Sequence, residues 1–75
     1  MGKKDETEEK LLFVSFCIEE YKTEHGMAGA YTAKLFEKYG VTDFLMDHFE
    51  VLHTLGVKAT LDEIDRFIAS RRQKK

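Results

Sequence analysis

Leu11-Leu12-Phe13-Val14-Ser15-Phe16-Cys17-Ile18-Glu19-Glu20-Tyr21 is the stretch on which the fold turns. Residues of an α-helix advance about 100° each. Leu11, Leu12, Phe13, Val14, Phe16, Cys17, Ile18 and Tyr21 therefore occupy most of a helical wheel, and only the sector near Ser15, Glu19 and Lys22 is polar. A helix that is apolar all round must be covered all round. In a chain of 75 residues, this makes the first helix the centre of an all-α domain. It also raises the question of how much of that helix the rest of the chain can cover.

Working outward, helix signals succeed one another without interruption. The first helix is predicted over about residues 7–24, with Thr7 as N-cap, Glu8 and Glu9 at the positive pole of its dipole, and Gly26 as its left-handed stop. A second is predicted over about 28–39, ended by Gly40. A third, over about 42–54, takes Thr42 as N-cap and carries a stripe of Leu45, Phe49 and Leu52. After Gly56, Val57-Lys58-Ala59 reads as a connector. Thr60-Leu61-Asp62-Glu63 then has the form of a capping box, opening a fourth helix over about 60–72 with Leu61, Ile64, Phe67 and Ile68 inward. The expected architecture is a compact four-helix domain over residues 11–70. A charged leader precedes it at 1–10, and a basic tail follows at 71–75.

Composition agrees with a small globular chain. Apolar residues make up 43% and charged residues 35%, outside the range of disordered sequences. Proline is absent, which suits uninterrupted helices. A domain of this size buries roughly 60% of its unfolded surface and pays about 1.5 kcal/mol per residue in ordering entropy. Little core is left for a buried catalytic cleft. Cys17 is the only cysteine, so no intramolecular disulfide can form and a reducing, cytoplasmic setting is expected. The apolar run at 11–18 is too short to span a bilayer. Neither a signal peptide nor a myristoylation signal is read at the start, where Glu6 stands in place of Ser or Thr.

Charge is distributed unevenly. Residues 11–65 carry four basic side chains against ten acidic ones, a net −6, whereas residues 66–75 carry five basic ones. An acidic body does not suit a phosphate backbone. The helix–turn–helix rhythm of helix 2, Gly40 and helix 3 offers an alternative reading as a small nucleic-acid-binding regulator. The presumed recognition helix nevertheless bears Asp43, Asp47 and Glu50 and no Lys or Arg, so it would repel phosphates. Phe36 also stands where the close helix contact wants a small residue.

Constellations that carry chemistry are sparse. His48 and His53 are five residues apart and point to different faces, and His25 has no partner histidine one turn away, so no metal ligand set is read. Cys17 sits in an apolar run, where a free thiol acts as a small hydrophobe. Asp43, Asp47 and Glu50 are expected on one face of helix 3, as a solvated strip able to attract a basic partner. No glycine-rich phosphate loop or nucleophile elbow is present. The expectation is a protein without enzymatic activity and without a cofactor.

Phe49-Glu50-Val51-Leu52-His53-Thr54, following the turn Lys38-Tyr39-Gly40-Val41, resembles the signature of a family of short bacterial proteins of unknown function. That family more often has tyrosine at the first position of the motif. Phe16-Cys17-Ile18-Glu19-Glu20-Tyr21 looks like its first helix and Asp62-Glu63-Ile64-Asp65 like its last. Members are often encoded beside a larger protein resembling an ADP-ribosyltransferase-type toxin. The resemblance thus implies an antitoxin or accessory-partner role and directs attention to His53 and Thr54.

The function read from the sequence is a protein-interaction module that binds a larger partner or a second copy of itself. Leu12, Phe13 and Phe16 are expected to form an uncovered stripe of helix 1. Asp43, Asp47 and Glu50 are expected at its rim, with His53 and Thr54 as further contact candidates.

Overall fold

Val14, Cys17 and Tyr21 are spaced by three and four residues and all are buried, so one stripe of the first helix faces inward. This helix, α1, runs Glu6–His25 in the structure, a computed structural model that describes residues 6–73. Its end is a Schellman turn. Gly26 takes φ 61°, its N–H donates to Thr23 O, and the N–H of Met27 donates to Lys22 O at 2.9 Å. The orphan carbonyls of the last turn are thereby satisfied. Thr7, read as the N-cap, lies inside the helix. Residues 1–5 of the expected leader, and Lys74 and Lys75 of the expected tail, lie outside the described residues.

Helix α2 spans Gly29–Tyr39 after Ala28, whose backbone is extended. Gly40, at φ 74°, closes it by donating to Glu37 O. The chain re-enters a helix immediately, α3 at Val41–Asp47, so Thr42 is an interior residue and not the expected cap. Helix α4 follows at Phe49–Leu55 and α5 at Val57–Gln73. The described residues thus form an all-α fold of five helices, one more than the sequence predicts.

Two differences account for the extra helix and its boundaries. The predicted third helix breaks at His48, which takes φ −112° and ψ 22° in the bridge region between the main basins. Neither Gly nor Pro marks the break, and the apolar stripe reads alike across a straight or a bent helix. The bend lets α3 bury Leu45 and α4 bury Leu52. Second, Val57-Lys58-Ala59 is not a connector but the first turn of α5. Thr60 is consequently inside the helix, and its hydroxyl lies against Gly56 O at 2.8 Å and Leu52 O at 3.0 Å, so the expected capping box does not form. Gly56 does the initiating, with its carbonyl accepting the N–H of Thr60.

The core forms where α1, α2, α3 and α5 converge. Phe36, Val41, Leu45 and Ile64 are fully buried, with Leu61 and Ile68 beside them. Each such side chain contributes about 1.5–3 kcal/mol by leaving water. The Tyr21 ring meets Phe36 edge-on at 5.4 Å, and Phe44 stacks on Phe67 at 4.3 Å. Buried Thr32 returns its hydroxyl to Ala28 O at 2.9 Å. Among the described residues no buried side-chain polar atom lacks a partner. No helix among them is long and apolar enough to cross a membrane.

Candidate functional site

The inward stripe of α1 leaves much of the helix uncovered. Leu11, Leu12 and Phe16 are 52%, 56% and 45% exposed. Phe13 is half-buried, its ring edge-on to Phe49 of α4 at 5.4 Å. Of the stripe expected to lie free, Leu12 and Phe16 do so, and Phe13 is partly covered by α4.

Phe13, Phe16, Cys17 and Glu20 share one face of α1, at the i, i+3, i+4, i+7 spacing of a helical stripe. They form one wall of a groove of about 150 Å³. The opposite side is supplied by Leu52 and His53 of α4 and by Gly56, Val57, Thr60 and Leu61 at the α4–α5 turn. Cys17, Leu52 and Leu61 are buried, whereas Phe16 and Val57 are exposed. The turn stays open because Gly56 carries no side chain there. Its φ of 95° excludes an unstrained L-residue, and space around the missing Cβ is empty. Leu55, the last residue of α4, is exposed as well.

His53 reaches this groove with its ring fixed from below. Nδ1–H donates to Phe49 O at 2.8 Å, and the imidazole stacks on the Phe49 ring at 4.5 Å, 8° from parallel. His53 is exposed, not half-buried as its place beside the core stripe suggests. Thr54 lies outside the groove, and its hydroxyl donates to Val51 O at 2.8 Å, tying down the end of α4.

The electrostatics of the groove centre on Glu20. It is half-buried and, among the described residues, pairs with no cation. Burial, and secondarily the Glu20 carboxylate, push the Cys17 thiol up to about 12. The thiol therefore stays protonated at neutral pH and packs as an apolar group. Glu20 was absent from the site residues expected from sequence. Its position four residues after Phe16 and three after Cys17 is the signal that could have found it.

The three acidic residues expected on one helix lie on two. The break at His48 puts Asp43 and Asp47 on α3 and Glu50 on α4. Asp43 and Asp47 border a recess with Phe67 and Arg71, whereas Asp47 and Glu50 border another with Lys10. None of the three lines the groove.

A second polar cluster lies elsewhere. Tyr21 donates its hydroxyl to Asp65 at 2.7 Å, and His25 Nε2 lies 3.4 Å from the same carboxylate oxygen. The basic end of α5 is turned onto rings of its own chain. Arg71 lies over Phe67 at 4.8 Å and Arg72 over Tyr39 at 5.8 Å, and hydrogen bonding to Arg72 holds the Tyr39 phenol below its ordinary range. No cluster of three metal-binding side chains occurs among the described residues.

Comparison with known proteins places these residues in a wider set. The model of a family described as "Protein of unknown function (DUF3791)" matches residues 12–71, a span that includes both walls of the groove. No curated protein and no solved structure matches the chain. The chain belongs to the DUF3791 family.

Proposed function

We propose that this member of a family without an assigned activity is a protein-binding module. It accepts an apolar segment of another protein chain in the groove between α1 and the α4–α5 turn. The observation that carries the reading is the pairing of exposed Leu12 and Phe16 with an open apolar groove beside them. Contiguous apolar surface of this kind on a small protein usually marks a contact site. The volume is that of cavities that take up a benzene-sized group, so one large apolar side chain of the partner fits it.

Binding, not catalysis, is the role proposed. The cysteine of the groove is held as a thiol, and the one histidine there has its Nδ1 committed to a backbone carbonyl. The net −6 of residues 11–65 favours a basic segment over an acidic one as occupant. Inhibition of a larger enzyme, as an antitoxin or accessory partner, is the finer form of this reading and rests on the sequence resemblance alone.

Capture of partners from the native host with the wild-type chain and with Phe16→Asp tests the proposal. A partner retained by the wild type and lost by the variant, with the helical circular-dichroism signal unchanged, is the expected result. Equal capture by both chains would sink it.

A further inference from the structure

Glu20 is the one acidic side chain that lines the groove, and it does so half-buried. The basic side chains nearest to it in sequence are directed elsewhere. Lys22 pairs with Glu19 at 3.1 Å, and His25 lies against Asp65. A carboxylate that is half-buried and unpaired is costly to cover with an apolar partner. An occupant carrying no cation would bury that charge further. One carrying a cation at the right place would relieve it.

We infer that the groove recognises a helical segment in which a large apolar residue is followed or preceded, one turn away, by Lys or Arg that pairs with Glu20. The spacing comes from α1 itself. Phe13, Phe16, Cys17 and Glu20 lie on one stripe, and a rise of about 1.5 Å per residue places Glu20 roughly one turn beyond Phe16 and Cys17. In a helical occupant, an anchor side chain seated against Phe16, Cys17 and Leu61 brings a cation at i±3 or i±4 to the carboxylate. Glu20 thus acts as the specificity determinant, and the apolar walls supply the affinity. A basic partner also complements the acidic body of this chain.

This inference rests on the docking function proposed above and is tested separately from it. A phage-displayed library of helical peptides, random at the exposed positions, is selected against the full chain and against the Phe16→Asp and Glu20→Lys variants. Circular dichroism confirms that all three chains are folded. The wild type is expected to enrich peptides with an apolar residue and Lys or Arg three or four positions apart. Glu20→Lys is expected to bind those peptides about tenfold more weakly and to enrich peptides with Asp or Glu at the same place. Phe16→Asp is expected to enrich neither.

Peptides that require Phe16 but show no charge preference, and bind Glu20→Lys equally well, would overturn the cation rule and leave the docking function standing. If no peptide enriches, or enrichment ignores Phe16→Asp, both fall. Sedimentation of the wild-type chain adds one further arm. A dimer that Phe16→Asp dissolves would assign the groove to a second copy and overturn the inference.

Discussion

The Thr60 hydroxyl lies 3.0 Å from the carbonyl oxygen of Leu52, reaching from α5 back to α4 across the turn at Gly56. The same hydroxyl lies 2.8 Å from Gly56 O. Thr60 is 3% exposed and its contact with the Leu52 carbonyl is buried. One short polar side chain thereby fixes the angle at which α4 meets α5, and with it one side of the groove.

Thr60→Val keeps the shape of the side chain and removes the donor. It is expected to cost about 1–3 kcal/mol, because a buried acceptor loses its partner. Thr60→Ser, which keeps the hydroxyl, should cost less. Urea denaturation of the three chains checks the order. Equal midpoints for Val and wild type would show that the hydroxyl bond does not hold the turn.

Thr60 also shows how far the sequence could be read. Its neighbours Leu61, Ile64 and Ile68 mark the buried face of the last helix correctly, because a 3.6-residue period is visible in the apolar pattern. Gly26 and Gly40 mark two helix ends, because a left-handed cap favours glycine. The pattern Thr-x-x-Glu instead suggested a helix start that the fold places three residues earlier. A threonine can cap a helix or bond back to a carbonyl four residues before it, and only the packing of α4 on α5 decides between the two.

The break at His48 was illegible for a related reason, since the apolar spacing of Leu45 and Leu52 reads alike for one helix or for two. Val41 and Thr32, both fully buried, were not legible because Val41 lies beside a glycine turn and Thr32 is itself polar. Of the site, Phe13, Phe16 and His53 were visible as apolar or unusual residues at telling positions. Glu20 was not, because its importance depends on the α4–α5 turn that faces it.

Gly56→Ala should destabilise the protein by about 1–3 kcal/mol. Its φ of 95° with ψ of 164° belongs to a region open essentially to glycine alone. The strain is purely conformational, since a Cβ at this position would meet nothing within 4 Å. Gly29→Ala is the matching control in an ordinary helical position, where the nearest atom to a new Cβ is the flexible Lys22 stem at 3.6 Å. Thermal unfolding of both variants should show a clear loss for Gly56→Ala and little or none for Gly29→Ala. A comparable loss in both would remove the argument from backbone strain.

Stability should fall in alkali well before the folded chain itself loses these protons. Burial raises the Cys17 thiol from its ordinary 9.0 to about 12. Burial, then the hydrogen bond to Asp65, raises the Tyr21 phenol above its ordinary 10.0. Both are acids with raised folded-state pKa values, so the unfolded chain releases their protons first as pH rises. Their contribution is complete below about pH 9, declines above it, and is gone once pH passes the folded values. Urea midpoints should therefore hold steady from about pH 7 to 8.5 and drop towards pH 11. The Cys17→Ala, Tyr21→Phe double variant should drop less steeply. Parallel decline in both chains would assign the alkaline loss to other groups.

Phe16 and Phe36 should separate binding from folding. Phe36 is fully buried and carries the edge contact to Tyr21. Truncating such a ring to Ala costs about 3–5 kcal/mol, comparable with the whole stability expected of a domain this small. Phe36→Ala should therefore lose cooperative unfolding, and Phe36→Leu should retain it with a lowered midpoint. Phe16 is 45% exposed, so Phe16→Asp should cost no more than about 1 kcal/mol of stability. Differential scanning calorimetry of the three variants, set beside partner capture, distinguishes two ways of losing function. A Phe36 variant that loses capture in step with its folded fraction reports only on the core. Phe16→Asp, folded and unable to capture, reports on the groove. A large drop in the Phe16→Asp midpoint would instead mean that this ring is part of the core, and the open wall of the groove would have to be reassigned to packing.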